Sequence, residues 1–304
     1  MRNRGTRFEC LRLRPHDHVG WVFSGQAEFD ALAGSFLAEG AARGERLMYV
    51  AADPGPAAAA GLRSALGADA VQIASIAEVY GASAVVDATA QRATFSSALA
   101  SALADGYSGI RVAADNTPMV ADERRMAAWV RWEMTADRFM SENPVTGLCA
   151  FDGEKVDVDR LRHLATLHPL SSTEHPLPQF RLFSDDENLC VEGRIDSFAV
   201  TELPLYLDVL SPKAGVLIDL AAATLASRSA VAELRRLAAS GVTVTIRGDA
   251  AALDELAAAG LEPGEHLVLE QATAVLQPAP TVPQPPPAAL QSAPNAAVPA
   301  AEPA

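Results

Sequence analysis

Apolar and polar positions along this chain follow two periods. Between residues 18 and 168, short continuous apolar runs alternate with stretches in which apolar residues recur at three and four. HVGWVF (18–23) reads as a buried strand. Ser24, Gly25 and Gln26 then turn the chain into a helix over 26–40, with Phe29, Leu32, Ala33, Phe36 and Leu37 on one face. RLMYVAAD (46–53) is the next strand, and PGPAAAAGLRSAL (54–66) a helix with proline in its first turn. VQIASI reads as a short strand, 91–104 as a helix and GIRVAAD (109–115) as a strand. A helix over 121–141 carries Trp129, Trp132 and Glu133, and VTGLCAFD (145–152) is the strand after it. Alternating strands and helices with near-continuous apolar strands predict a parallel sheet covered on both faces.

The pattern breaks at HPLSSTEHPLPQF (168–180), where prolines, serines and a threonine predict a linker over 171–179. Beyond it, strands QFRLFS and LCVEGRI, a helix over 198–210 and the strand GVLIDLA (215–221) predict a smaller α/β unit over 180–272. A helix over 228–239, the strand VTVTIRG (242–248) and a helix over 249–259 complete that unit. Residues 1–14 are left as an N-terminal arm and 15–170 as the first domain. From Gln277 onward the chain holds nine prolines and one charged residue, Glu302, so neither helix nor sheet can propagate there. Residues 273–304 are expected to be a disordered Pro/Ala-rich tail, either a spacer or a PQPPP segment that docks on an aromatic groove.

Charge then narrows the function. Twenty-four basic against 38 acidic residues give a net charge of −14, which argues against nucleic acid as the partner, since phosphate binding needs clustered Lys and Arg. No uninterrupted apolar stretch reaches the roughly 18 residues of a membrane span. The arginines at positions 2, 4, 7, 12 and 14 precede no apolar run, so no secretory signal is expected. Cys10, Cys149 and Cys190 form no paired framework, and a cytoplasmic protein with reduced thiols is the expectation. The only lysines, Lys155 and Lys213, lie outside any G-x-x-x-x-G-K-[ST], which excludes a conventional P-loop ATPase.

Candidate chemistry gathers where ligands bind in parallel α/β sheets, at the carboxyl ends of the strands. Ser24 follows the first strand and opens a helix whose free amides suit an anion or carbonyl oxygen. Asp53, Asp115 and Asp152 each end an apolar strand and would bind a cation or a ligand's donors; the alternative is that they cap turns and helices. Arg111, between Ile110 and Val112, must be paired if buried, and Glu133 is its expected partner. The histidine spacings match no metal motif, so neither metal nor cofactor is expected. Cys149 reads as a small buried hydrophobe, and no G-x-S-x-G supports serine catalysis.

Taken in order, His18 with its WVFS strand, FLAEGAARGERLMYVAAD, DGYSGIRVAADN, WVRWEMTADRF, VTGLCAFD and LHP resemble the MEDS domain. This is the sensory domain of methanogen and methylotroph regulators of the DcmR type, which also occurs beside anti-sigma-factor modules in actinobacterial regulators. The resemblance implies a RecA/KaiC-like α/β fold without its phosphate loop, and a sensory role in place of catalysis. The positions matching its recurrent polar residues are His18, Arg111, Asp115, Glu133, Asp152 and His168. NTPM (116–119) stands where the family usually has a tryptophan.

The second unit resembles a STAS domain, the fold of anti-sigma-factor antagonists, through VEGRID and GVLIDLAAATLASRSAVAEL. Where that family reads D-S-x-G-L with a phosphorylated first serine, Ser227 falls at the aspartate, Arg228 at that serine, Ser229 next and Ala230 at the glycine. Arginine there has no hydroxyl and a fixed positive charge, so the usual switch cannot operate at that atom. Ser227 and Ser229 are the remaining acceptors, with an ordinary N-cap as the other reading of Ser227. The two resemblances together imply a two-domain signalling regulator that senses a small-molecule ligand or a partner and binds an anti-sigma factor or related protein. The competing expectations are a metal-dependent enzyme using Asp53, Asp115 and Asp152, and a protein-interaction scaffold that senses nothing.

Overall fold

A computed structural model describes residues 2–67, 70–173, 178–185, 188–210, 215–225 and 227–272. In chain order the first half comprises β1 (Gly5–Arg7), β2 (His18–Phe23), α1 (Gln26–Ala42), β3 (Arg46–Ala51), α2 (Pro56–Leu66), β4 (Val71–Ser75) and α3 (Ile76–Tyr80). It continues with α4 (Ala88–Ala104), β5 (Ile110–Asp115), a 3-10 turn over Thr117–Val120, α5 (Glu123–Glu142), β6 (Val145–Asp152), α6 (Val158–Thr166) and β7 (Leu170–Ser172). The seven strands form one parallel sheet in the order β1-β7-β2-β6-β5-β3-β4.

Strand alternation sorts the apolar residues into two layers. Val19, Phe23, Leu47, Tyr49, Ala113, Leu148 and Ala150 face Phe29, Phe36 and Leu37 of α1. The residues between them, among them Val22, Met48, Val112, Ala114, Cys149 and Phe151, face Phe95 of α4, Trp129 and Trp132 of α5, and Leu161 and Leu164 of α6. Aspartates start three of these helices: Asp87, Asp122 and Asp157 accept backbone N–H groups of α4, α5 and α6. Caps of this kind contribute about 1 kcal/mol each and take up part of the chain's acidic excess.

The second half forms a five-stranded sheet from β8 (Phe180–Asp185), β9 (Asn188–Ile195), β10 (Gly215–Leu225), β11 (Val244–Gly248) and β12 (Leu267–Gln271). Its order is β12-β11-β10-β9-β8, parallel except for the β8–β9 hairpin. Helices α7 (Ser197–Leu210), α8 (Arg228–Ala239) and α9 (Ala250–Ala258) connect the parallel strands. Met134 of α5 and Leu167 lie in the same core as Leu182, Val191, Val216, Ile246 and Leu234, so the first half helps to close the second. The chain to Ala272 is one compact unit.

The structure departs from the sequence expectations at the seam. Ser171 and Ser172, expected in a linker, are buried in β7, which lies between β1 and β2. The N-terminal arm is likewise built in: β1 pairs with β7, Leu13 is fully buried, and Arg4 bonds Glu192 of β9 at 2.7 Å. Arg181 of β8 donates to Thr6 and Ser171. Among the described residues no helix is long and apolar enough to cross a membrane. His175, Lys213 and the Pro/Ala-rich tail lie outside the described residues.

Candidate functional site

The α5–α6 side of the first sheet holds a buried polar cluster in an otherwise apolar layer. His18 opens β2, Cys149 lies on the adjacent strand β6, and Glu133 reaches in from α5. His168 arrives from the turn between α6 and β7, and all four residues are buried. Small residues make the room. A Cβ on Gly20, two residues past His18 on the same strand face, would lie 2.8 Å from the His168 ring, and one on Gly147 would strike Met140. Glu133 and Asp137, four apart, project from one face of α5, which also buries Trp129 and Met140.

His18 is the hub. Its Nδ1 lies 3.0 Å from Asp137 Oδ1, and its Nε2 lies 3.1 Å from Glu133 Oε2 and 3.4 Å from Cys149 Sγ. The His168 ring sits 4.4 Å from that of His18 and donates its Nδ1–H to the Leu164 carbonyl at 2.8 Å. Its Nε2 is 3.6 Å from Glu133 Oε2, and neither that nitrogen nor Glu133 Oε1 has a hydrogen-bond partner among the described residues.

Burial works against charge on His18, but the Cys149 sulfur and the Asp137 and Glu133 carboxylates override it and hold the imidazolium well above its usual range. Burial likewise opposes ionisation of Glu133, and the two histidines outweigh it, keeping the carboxyl below its ordinary value. Asp137 is also held down, by Arg2 and His18 against its burial. Burial pulls His168 down to about 4, against the Glu133 carboxylate beside it, which raises it. Burial, reinforced by Glu133, pushes the Cys149 thiol up to about 12. Two cations, Arg2 and His18, thus face two carboxylates, which is what makes so dense a buried cluster tolerable.

Beside Cys149 lies a cavity of about 30 Å³, lined by Tyr80, Phe95, Val112, Trp132, Met140 and other apolar groups. On the opposite side the cluster reaches the second sheet. Asp137 Oδ2 accepts the backbone N–H of Ser184 in β8 at 2.6 Å, and Arg2, paired with Asp137, also donates to the Ser184 carbonyl. Comparison with known proteins bears on this region directly. Residues 17–169, half of the chain, match the family model of the MEDS domain, the methanogen/methylotroph, DcmR sensory domain. The chain belongs to the MEDS family. No curated protein and no solved structure matches it. Membership in a family of sensory domains suggests a signalling or sensing role.

Within the MEDS domain, the candidate ligand-binding residues are spread over separate places. His18, Glu133 and His168 converge in the buried cluster, joined by Cys149, which was expected only to fill space. The expected Arg111–Glu133 pair does not form. Arg111 points to the α1 face, where its Nε donates to Glu45 Oε2 at 2.6 Å and its guanidinium lies over the Phe36 ring, whereas α5 covers the other face. Gly40 leaves the space, since a Cβ there would lie 2.6 Å from Arg111 Cδ.

Asp115 and Asp152 meet at the carboxyl ends of β5 and β6. Thr117 bonds both, donating its N–H to Asp115 and accepting the Asp152 N–H through Oγ1. Lys155 pairs with Asp152 at 2.7 Å, and with it the Glu154 and Gly25 backbone holds the Asp152 carboxyl below its ordinary value against burial. Ser24 and Asp53 are exposed, and the Ser24 N–H donates to Glu28. In the second sheet Ser227 caps α8, accepting the Ala230 N–H at 3.2 Å and contacting Ser229 Oγ at 2.8 Å. Arg228 is exposed beside it, on a groove of about 450 Å³ that also takes in Leu225, Val231, Glu255 and Leu256.

Proposed function

We propose that the protein is a cytoplasmic signalling regulator, without catalytic activity, whose MEDS domain senses a small molecule or a partner and whose second region is a STAS-like interaction module. The observation that carries this reading is Asp137. One buried carboxylate holds His18 in the cluster and the Ser184 backbone of the second sheet. A ligand that changes the apolar cavity at Cys149, or the hydrogen bonds of His18, alters what holds β8. Coupling of this kind is reciprocal: a partner that favours one arrangement of the second region changes ligand affinity by the same factor.

Several features support the finer reading. The order β7-β2-β6-β5-β3, with a helix starting directly after β2, fits a RecA/KaiC-like sheet that kept its architecture without the phosphate loop. The β8–β9 hairpin followed by parallel strands, with Ser227 at a strand-to-helix junction, fits a STAS-like module. Ser227 serves as the α8 cap and Arg228 adds a fixed positive charge beside it, which favours constitutive binding of an anti-sigma factor or related protein over a phosphorylation switch. Absence of catalysis is supported by the strand-end carboxylates, since Asp115 and Asp152 are engaged by Thr117, Lys155 and the Glu154 backbone while Asp53 stands in solvent.

The test is capture of partners from the native cytoplasm on the full-length chain, repeated with an Asp137→Asn variant. Recovery of an anti-sigma kinase-type ATPase, weakened by the substitution, is expected. Recovery of lipid-transport components alone, or of the ATPase equally by both chains, contradicts the reading.

A further inference from the structure

We propose that His18, Glu133, Cys149 and His168 form a binding site for one divalent transition-metal ion of the zinc class. One ligand atom from each residue (two imidazole nitrogens, a carboxylate oxygen and a sulfur) lies within 4.8 Å of all the others. A tetrahedral ion with bonds of about 2.0–2.1 Å to N and O and about 2.3 Å to S has ligand–ligand edges of about 3.3–3.6 Å. The edges found here are 3.1 Å (His18 Nε2 to Glu133 Oε2), 3.4 Å (His18 Nε2 to Cys149 Sγ), 3.6 Å (His168 Nε2 to Glu133 Oε2) and 3.9 Å (Cys149 Sγ to Glu133 Oε2). These four edges straddle the tetrahedral values. The remaining two, from His168 Nε2 to His18 Nε2 and to Cys149 Sγ, are within 4.8 Å, at most about 1.2 Å beyond the upper tetrahedral value, and close as the rings swing onto the ion.

The surroundings of the four residues are those of metal ligands. Metal-bound histidines characteristically give their other ring N–H to a carboxylate or a backbone carbonyl. His18 gives Nδ1–H to Asp137 and His168 gives Nδ1–H to the Leu164 carbonyl, which leaves both Nε2 atoms beside Glu133 Oε2, at 3.1 and 3.6 Å. The two atoms in the cluster without hydrogen bonds, His168 Nε2 and Glu133 Oε1, are an imidazole lone pair and a carboxylate oxygen, both buried. His168 Nε2 lies 3.6 Å from Glu133 Oε2, beyond hydrogen-bond distance, so these buried polar atoms are left for a further partner. Metal ligands must be deprotonated. Binding therefore competes with protonation of the Cys149 sulfur and the two imidazole Nε2 atoms, and should weaken as the pH falls.

Softness and nitrogen content favour Zn²⁺ or Co²⁺ over Mg²⁺ or Ca²⁺. Four protein ligands leave no open position, so the site is structural or regulatory and not hydrolytic. The inference stands on the MEDS domain alone, and failure to capture an anti-sigma partner would leave it intact.

Co²⁺ titration of the untagged, full-length, metal-stripped chain tests it. About one equivalent per chain should bind and produce tetrahedral visible bands with a thiolate-to-cobalt charge-transfer band. Zn²⁺ should displace the Co²⁺, and either metal should raise the melting temperature. Cys149→Ser should abolish the charge-transfer band, while Cys10→Ser and Cys190→Ser keep it. Uptake well below one equivalent by the folded wild-type chain overturns the proposal, whether or not the variants fold. So does a charge-transfer band that survives Cys149→Ser.

Discussion

Asp137→Asn is the most informative single change, because the substitution keeps the size of the side chain and alters only its hydrogen-bonding capacity. Four donor groups converge on the two Asp137 oxygens. Oδ1 accepts from His18 Nδ1 at 3.0 Å and from Arg2 Nη2 at 2.5 Å, and Oδ2 accepts from Arg2 Nη1 at 3.2 Å and from the Ser184 N–H at 2.6 Å. Asparagine has one oxygen and one amino group, so in either orientation a donor faces two donors in a site with no solvent exposure. At about 1–3 kcal/mol for each buried donor left unpaired, the expected loss is roughly 2–6 kcal/mol. A unit of this size loses about 2–4 °C of melting temperature per kcal/mol, which makes the expected shift roughly 5–20 °C. Denaturant midpoints measured beside Asp105→Asn supply the comparison. Asp105 pairs with Arg46 at 2.5 Å but is more than half exposed, and its loss should cost no more than about 1 kcal/mol. Equal shifts for the two variants would refute the reasoning that burial and donor convergence, not pairing distance, set the value of Asp137.

Other expectations follow from the same geometry. Gly20→Ala places a methyl 2.8 Å from the His168 ring and should destabilise by about 1–3 kcal/mol, whereas Gly61→Ala, exposed within α2 with nothing near its Cβ, should stabilise by about 0.5–1 kcal/mol; paired denaturation curves decide both. Arg111→Ala strands the buried Glu45 carboxylate at a cost of about 3–5 kcal/mol, and double-mutant cycles should show strong coupling of Arg111 to Glu45 and near-additivity with Glu133. Ser227→Ala removes the α8 cap and should lower stability by about 1 kcal/mol, read from the same curves. Burial pushes the Cys10 thiol up to about 12, so at pH 8 it should resist alkylation in the folded chain and react once denaturant is added.

Much of the first sheet was legible because its strands are continuous apolar runs; β2 and β6 match the expected bounds residue for residue. Strands β1 and β7 were not, since three residues carry no period and their partners lie some 165 positions apart in sequence. The error over Arg111 has a definite origin. Alternation correctly turned it away from Ile110 and Val112, but which helix covers which face is decided by the crossover connections, not by the strand itself. His18, Glu133 and His168 were found through family resemblance, and their convergence through the fold alone. Asp137 left a usable trace. An acid four residues after Glu133, on the helix face that carries Trp129 and Met140, is out of place unless something buried receives it.

Native-state hydrogen exchange on His18→Asn tests most directly whether the buried MEDS cluster controls the second sheet. The substitution changes nothing in β8 or β9, yet it removes the imidazole that shares Asp137 with Ser184. Faster exchange is predicted in residues 180–185 and 188–195 as well as in β2 and β6, because both sheets draw on one carboxylate. Acceleration confined to the first sheet, with β8 and β9 exchanging as in the unaltered chain, would contradict a sensor coupled to its output through Asp137.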